Sequence, residues 1–96
     1  MKRELTRGQQ IIYVPNHAAL EESVPTEHPD CEAGFVTSVD GDYAFCRYWS
    51  KHLPRLPLKL RTRANSERTP IANLVVQDTV PHSAVVAALE RIEEAS

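Results

Sequence analysis

Apolar and β-branched residues gather in short runs separated by loop-forming residues, a pattern typical of a small sheet protein. The first three runs cover residues 10–14, 34–39 and 43–49, and all six aromatic side chains lie within the region that these runs span. β-Branched and aromatic residues fit a pleated, half-buried surface, so each run is predicted to be a strand. Pro15 ends the first strand, because proline has no backbone N–H to donate to a neighbouring strand.

A tight turn is predicted between the second and third strands, where Asp40 and Gly41 stand between two β-type runs. Both residue types tolerate the positive φ angles of a two-residue hairpin turn. Successive side chains of a strand point to opposite faces of the sheet. One face of the third strand, predicted to point into the core, therefore consists of Ala44, Cys46 and Tyr48. The other face consists of Tyr43, Phe45, Arg47 and Trp49.

Two further strands are predicted in the second half of the chain. Residues 58–63 alternate between side chains suited to the core and the cations Lys59, Arg61 and Arg63, which predicts a half-buried strand with a basic outer face. The next segment, residues 65–70, is predicted to be a loop, and residues 74–76 a short closing strand.

Helical structure is predicted mainly at the C-terminal end. Residues 81–94 carry apolar side chains at the spacing of one helix face, namely Val85, Ala88, Leu89 and Ile92. A helix of this length is not stable alone, so we expect it to dock on the sheet or on another molecule. The long first loop, residues 16–32, contains two prolines and has room for one helical turn at residues 18–23.

The length of 96 residues suits one domain. A chain this short buries only about 60–65% of its unfolded surface, so little apolar area is left to line a deep pocket. The sequence has no apolar run long enough to span a membrane, and residues 1–7 lack the apolar stretch of a signal peptide. We therefore expect a cytoplasmic protein in which the thiols of Cys31 and Cys46 stay reduced.

The net charge of −2 conceals three blocks of opposite sign. Residues 1–46 carry a net charge of −5, residues 47–68 a net charge of +6 and residues 69–96 a net charge of −3. A basic block between two acidic ones predicts either an anionic partner or neutralisation within the fold.

Three stretches of the sequence resemble a group of small phage and prophage proteins. They are residues 12–18 (IYVPNHA), residues 28–36 (HPDCEAGFV) and residues 45–48 (FCRY). The resemblance implies an SH3-like barrel of KOW or Tudor type with five strands, at about residues 8–78 of a single domain. The helix at about residues 79–96 lies outside the resemblance and is predicted to pack on the barrel. No catalytic residue comes with the resemblance.

The small size, the mixed charge and the phage-like resemblance together predict a non-catalytic protein that docks on a host or phage macromolecule. A protein target is favoured over nucleic acid, for example a component of a host defence system such as CRISPR-Cas. The expected location is then the cytoplasm of the bacterial host. The oligomeric state stays open, with a homodimer as one option, and no cofactor is expected.

The alternative function is nucleic-acid binding through the basic strand face. Aromatic side chains beside guanidinium groups suit single strands, because bases stack on the rings while cations pair with phosphates. In a competing interpretation the aromatic rings lie under the helix, and the arginines pair with its carboxylates. The candidate partner-binding residues are Phe45, Arg47, Trp49, Lys51, Arg55, Lys59, Arg61 and Arg63.

A small metal-binding domain is the lowest-ranked alternative. A structural zinc site needs four ligands, and the candidates are His17, His28, Asp30, Cys31, Cys46 and His52. The spacing from His28 to Cys31 suits half a site, but no second pair follows, so no metal ligand is assigned. A catalytic pair of Cys31 with a histidine is not favoured either, because the neighbouring Glu32 would raise the pKa of the thiol.

Overall fold

Five antiparallel strands and a C-terminal helix make up most of the structure, a computed structural model that describes residues 5–21, 25–50, 62–63 and 65–95. The strands are β1 (Gln10–Tyr13), β2 (Glu32–Asp40), β3 (Tyr43–Tyr48), β4 (Glu67–Pro70) and β5 (Leu74–Val76). Their order across the sheet is β4-β3-β2-β1-β5. The α-helices are α1 (Asn16–Glu21) and α2 (His82–Ala95), and the 3-10 turns are η1 (Pro25–Glu27) and η2 (Ile71–Asn73). A mainly β fold with a C-terminal helix is thus confirmed.

The hairpin between β2 and β3 turns at the predicted Asp-Gly pair. Asp40 is paired with Tyr43, and Gly41 has a φ of +61°, which an L side chain adopts only with strain. The pairing shifts by one residue between Val36 and Ser38, where Thr37 forms a bulge. The Thr37 hydroxyl donates to the Phe45 carbonyl oxygen at 2.9 Å, so the bulge keeps a bond to the partner strand.

The two edges of the sheet are joined by the short turn η2, and this connection bends the sheet. Strands in a sheet lie about 4.8 Å apart, so flat edges would be separated by about 19 Å. The four Cα steps from Pro70 to Leu74 span at most about 14 Å even when extended. The sheet is therefore curled, although within the described residues no ladder joins β4 to β5 and the sheet is not closed.

The inner face of the curled sheet carries the largest apolar cluster. The predicted inward face of β3 is confirmed, because Ala44, Cys46 and Tyr48 are all buried there. The other members of this cluster are Leu5, Ile11, Val36, Ile71 and Leu74.

Helix α2 covers part of the outer face, so the predicted docking of its apolar face on the sheet is confirmed. Val85 and Ala88 are buried against Phe35 and Trp49, while Leu89 and Ile92 pack beside them and are partly buried. The segment leading into the helix is fixed by Gln10. Its side-chain oxygen accepts hydrogen bonds from the amides of Thr79 and Val80, and its amide group donates to the Val80 carbonyl at 2.8 Å.

The predicted loop at residues 65–70 is wrong, because β4 occupies Glu67–Pro70 and pairs with β3. Of its four side chains only Thr69 is buried, so this edge strand lacks the apolar residues by which strands are detected. The strand predicted at residues 58–63 lies mostly outside the described residues. Within it, Thr62 forms a bridge with Trp49, and the Arg63 amide donates to the Tyr48 carbonyl oxygen.

The long first loop is more regular than predicted. It contains α1, which starts at Asn16 and not at residue 18, and η1. Asn73 holds α1 to the sheet, because its side-chain amide donates to the Val14 carbonyl and to the Asn16 side-chain oxygen, both at 2.9 Å. Ala18 is buried in a second cluster together with Ile12, Val14 and Cys31.

Candidate functional site

The structure removes one aromatic residue from the predicted partner-binding surface. Trp49 is only 9% exposed and lies under α2, with its ring centroid 5.3 Å from that of Phe35. This burial corrects its assignment to an open surface and agrees with the competing interpretation for this ring alone, since Phe45 is not in the cluster under the helix and Arg63 pairs with carboxylates of the sheet. Phe45 and Arg47 are half-buried. The remaining predicted residues Lys51, Arg55, Lys59 and Arg61 lie outside the part of the chain that the structure describes.

Arg63 is engaged within the chain. Its guanidinium group forms ion pairs with the carboxylates of Glu32 and Glu67, and it lies 5.6 Å from the centroid of the Tyr48 ring. The alternation of the basic segment predicts this side chain on the outer face. In the structure it ties the start of β2 to the start of β4, so carboxylates of the same chain neutralise its charge.

A groove of about 170 Å³ opens beside these ion pairs. It lies on the inner side of the curled sheet, where four strands contribute side chains to its walls. The lining residues are Tyr13, Glu32, Tyr48, Glu67, Arg68, Thr69 and Pro70. The groove is open to solvent, so a ligand side chain could enter it without prior opening of the core. Both carboxylates that line the groove are those that bind Arg63.

The floor of the groove is held in one arrangement by a buried hydrogen bond. The hydroxyl groups of Tyr48 and Thr69 lie 2.9 Å apart, and both side chains are buried. Burial raises the pKa of Tyr48 far above its ordinary value, so the phenol stays neutral. Burial also raises the pKa of the neighbouring Cys46 thiol. Neither group is therefore an anionic nucleophile at neutral pH, and the floor of the groove is the polar pair of Tyr48 and Thr69.

The outer rim of the groove carries a second cation on an aromatic ring. The Arg68 guanidinium carbon lies 3.6 Å from the centroid of the Tyr43 ring. Guanidinium groups bind the face of aromatic rings by their attraction to the ring quadrupole. Arg63 and Arg68 thus each lie over the ring of a β3 tyrosine, Tyr48 and Tyr43 respectively.

Three of the six candidate metal ligands come together in a separate cluster near α1. His17 Nε2 lies 2.7 Å from Asp30 Oδ2, and the rings of His17 and His28 meet edge to face with centroids 5.3 Å apart. The nitrogen and oxygen ligand atoms of His17, His28 and Asp30 all lie within 4.8 Å of one another. Cys46 is in the core of the sheet, and the buried Cys31 thiol donates to the Pro25 carbonyl oxygen, while His52 lies outside the described residues.

Sequence reasoning missed the carboxylates of the groove, although a signal for one of them exists. Glu32 precedes Gly34 and Val36 at alternate positions of β2, so it shares the inward face of that strand. Charged side chains are rarely buried in an apolar core, so one at an inward position indicates a polar site at the edge of the core. Glu67 offered no such signal, because β4 itself was not predicted.

Comparisons with models of protein families, with curated proteins and with solved structures find no match for this chain. No helix in the described ranges is long and apolar enough to cross a membrane.

Proposed function

We propose that this chain is a non-catalytic binding module that docks on a protein partner, whose arginine side chain enters the groove beside β4. The observation that carries the proposal is the position of Arg63, between the carboxylates of Glu32 and Glu67 and over the ring of Tyr48. The carboxylates and the ring that line the groove thus already bind the type of side chain that the groove is proposed to receive.

The chemistry of the groove suits a guanidinium group. Its planar fork of N–H donors pairs with carboxylates, and its face stacks on aromatic rings. The groove offers both kinds of contact, from Glu32, Glu67 and Tyr48. A partner arginine would therefore find at the groove the same set of contacts that Arg63 makes.

Exchange of Arg63 for a partner's arginine is energetically feasible. The side chains of Arg63 and Glu67 are 40% and 49% exposed, and an exposed ion pair contributes only about 0–1 kcal/mol. Glu32 is less exposed, at 27%, but a partner's guanidinium group would replace Arg63 beside it, so the carboxylate would stay paired. An extended segment of the partner could also pair with β4, which is an edge strand among the described residues.

The finer assignments from the sequence remain part of this proposal. The curled sheet, whose edge strands β4 and β5 are connected by η2, supports an SH3-like barrel. The phage-like resemblance supports a partner in the bacterial host, such as a defence protein. Nucleic-acid binding is the weaker candidate, because Trp49 is buried and Arg63 is paired with carboxylates.

A peptide titration tests the groove. A short blocked peptide with one central arginine is added to the isotope-labelled chain, and the amide shifts in its NMR spectrum are followed. We expect Arg63→Gln to bind this peptide several-fold more tightly than the wild type, because its internal competitor is gone. The double variant Glu32→Gln/Glu67→Gln should lose the binding.

A matched control separates the groove from general charge effects. Glu90→Gln removes one carboxylate from the exposed face of α2 and should leave the peptide affinity unchanged. Equal affinities for all four proteins would refute the groove as the docking site. Binding of a single-stranded oligonucleotide at low salt, retained by the double variant, would establish the nucleic-acid alternative in its place.

A further inference from the structure

We propose that His17, His28 and Asp30 form a binding site for a divalent transition-metal ion, and that the ion is Zn²⁺. This site is independent of the proposed groove, because it uses other residues, which lie outside the strands. The ligand atoms of the three side chains lie within 4.8 Å of one another, although they come from α1 and from the turn that follows η1.

The backbone around the cluster is fixed on both sides. On the side of α1, Asn73 binds Asn16 directly beside His17. On the other side, the Cys31 amide donates to the His28 carbonyl at 3.0 Å, which closes the turn that carries Asp30. Both segments are anchored over the apolar cluster that contains Ala18 and Cys31. Metal ligands on such anchored segments need little ordering when the ion binds.

The distances fit a tetrahedral ion after small movements. Zn–N and Zn–O bonds of about 2.0–2.2 Å place two ligand atoms of a tetrahedron about 3.3–3.5 Å apart. His17 Nε2 and Asp30 Oδ2, now 2.7 Å apart, would separate by less than about 1 Å to admit the ion between them. Both side chains are more than half exposed, so an ion could reach their ligand atoms from solvent.

The donor set selects the class of metal. Two imidazoles and one carboxylate suit Zn²⁺ and neighbouring first-row ions, whereas Ca²⁺ and Mg²⁺ prefer sites made of oxygen alone. Three protein ligands leave at least one coordination position for water. Zn²⁺ has no geometric preference of its own, which favours it where an imidazole and a carboxylate must adjust around the ion.

His28 provides the rigid part of the site. Its side chain is only 9% exposed, and its Nδ1 accepts a hydrogen bond from the Asp30 amide at 3.0 Å. In the metal-free chain this bond couples the orientation of the His28 ring to the position of Asp30. Nδ1 has one lone pair, so binding of the ion through this atom, which lies 4.0 Å from Asp30 Oδ2, would replace the bond. The bound ion would fasten α1 to the start of β2, two residues before Glu32 of the groove.

Calorimetric titration of the full-length, metal-stripped chain with zinc chloride tests the site. We expect one ion to bind per chain, with the visible spectrum of the cobalt-loaded protein as an independent record of the coordination. Since only the folded chain assembles the ligands, zinc at about 100 times Kd should raise the thermal midpoint by roughly 10 °C.

Two variants and a matched control localise the ion. His17→Ala and Asp30→Asn should each weaken zinc binding at least about tenfold, because loss of a direct ligand costs no less than loss of a supporting residue. His82→Ala removes an exposed histidine at the start of α2 and should bind zinc like the wild type. NMR spectra of the metal-free variants check that each one is folded.

Each outcome decides the question. The proposal is supported when both variants lose affinity while the control does not. It is overturned when the wild type takes up no zinc, when both variants retain their affinity, or when only one of them is weakened. Equal loss in the His82→Ala control would also overturn it, since the ion would then bind histidine without a built site.

Discussion

Substitution of Gly34 by alanine should disrupt the pairing of β2 with β3. Gly34 stands opposite Tyr48 in the ladder, and no left-handed backbone angle is required there. A Cβ atom at this position would lie 2.2 Å from the Arg47 carbonyl oxygen and 2.9 Å from both Cα and Cδ1 of Tyr48. Two of these three atoms belong to the backbone, so no change of side-chain rotamer relieves the contact.

The expected loss of stability follows from the separation of β2 and β3 that the added methyl group requires. The strands have to separate by about 1 Å at this point, and overpacking of this kind costs about 1–3 kcal/mol. Separation also weakens neighbouring ladder bonds, such as the one from the Trp49 amide to the Ala33 carbonyl, each of which contributes about 1 kcal/mol. We therefore expect Gly34→Ala to lower the free energy of unfolding by about 3–5 kcal/mol, a large share of the roughly 5–15 kcal/mol of a typical domain.

Urea denaturation followed by tryptophan fluorescence measures this loss, because Trp49 is the only tryptophan of the chain and packs on Phe35. The matched control is Gly41→Ala, at a position with open space around it and a φ of +61°. Only the strain of a left-handed residue applies there, about 1–2 kcal/mol. A loss at Gly34 no larger than the loss at Gly41 would refute the close approach of β2 to β3.

Two further predictions concern the buried polar groups beneath the groove. Tyr48→Phe should cost about 0.5–1.5 kcal/mol, because it removes the hydrogen bond between the phenol and the Thr69 hydroxyl, which keeps its bond to the Glu67 carbonyl oxygen, whereas Tyr48→Ala should cost about 3–5 kcal/mol. A Tyr48→Phe variant as stable as the wild type in urea denaturation would contradict the assigned hydrogen bond. Burial raises the pKa of Cys46, so the thiol ionises first in the unfolded chain, near its usual value of 9.0. Its contribution to stability is thus complete below about pH 9 and is lost as the pH rises further. Thermal midpoints across this range should fall less steeply for Cys46→Ala, and an unchanged slope would count against this account.

Elements with a clear hydrophobic period could be predicted from the sequence. The alternation of Ala44, Cys46 and Tyr48 identifies the inward face of β3, because each of these side chains ends in the core. The helical spacing of Val85 and Ala88 identifies the face of α2 that packs on the sheet. In both elements the buried residues are those that the hydrophobic period selects, because the rest of the fold covers one apolar face of each element.

Strand β4 could not be predicted in this way. Its four residues are Glu67, Arg68, Thr69 and Pro70, of which only Thr69 is buried. Such a strand is held by its main-chain pairing with β3 and by side-chain contacts such as that of Arg68 with Tyr43. Neither interaction leaves a hydrophobic period in the sequence, so the segment has the composition of a loop.

The candidate sites depend on contacts between segments that are distant in the sequence. The alternation of β3 places Trp49 on the outer face, as expected, but it cannot indicate that α2 covers this face. The pairing of Arg63 with Glu32 joins residues 31 positions apart, and that of His17 with Asp30 depends on how the first loop folds. Such contacts follow from tertiary structure, whereas residue types alone only restrict which partners are chemically possible.

Ion pairs among the described residues neutralise part of the charge along the chain, and the pairing of Arg63 limits what the groove can bind. Arg7 approaches Glu93 at 3.7 Å, and Arg63 is paired with Glu32 and Glu67. Arg63 already pairs with both carboxylates, so an incoming cation must displace it. The net binding free energy is therefore only the difference between the new contacts and those of Arg63. A single arginine therefore binds weakly, and a partner must add contacts elsewhere, for which the main chain of the edge strand β4 is available among the described residues. Selectivity would then come from the whole segment that lies along this strand, and the groove would fix its register.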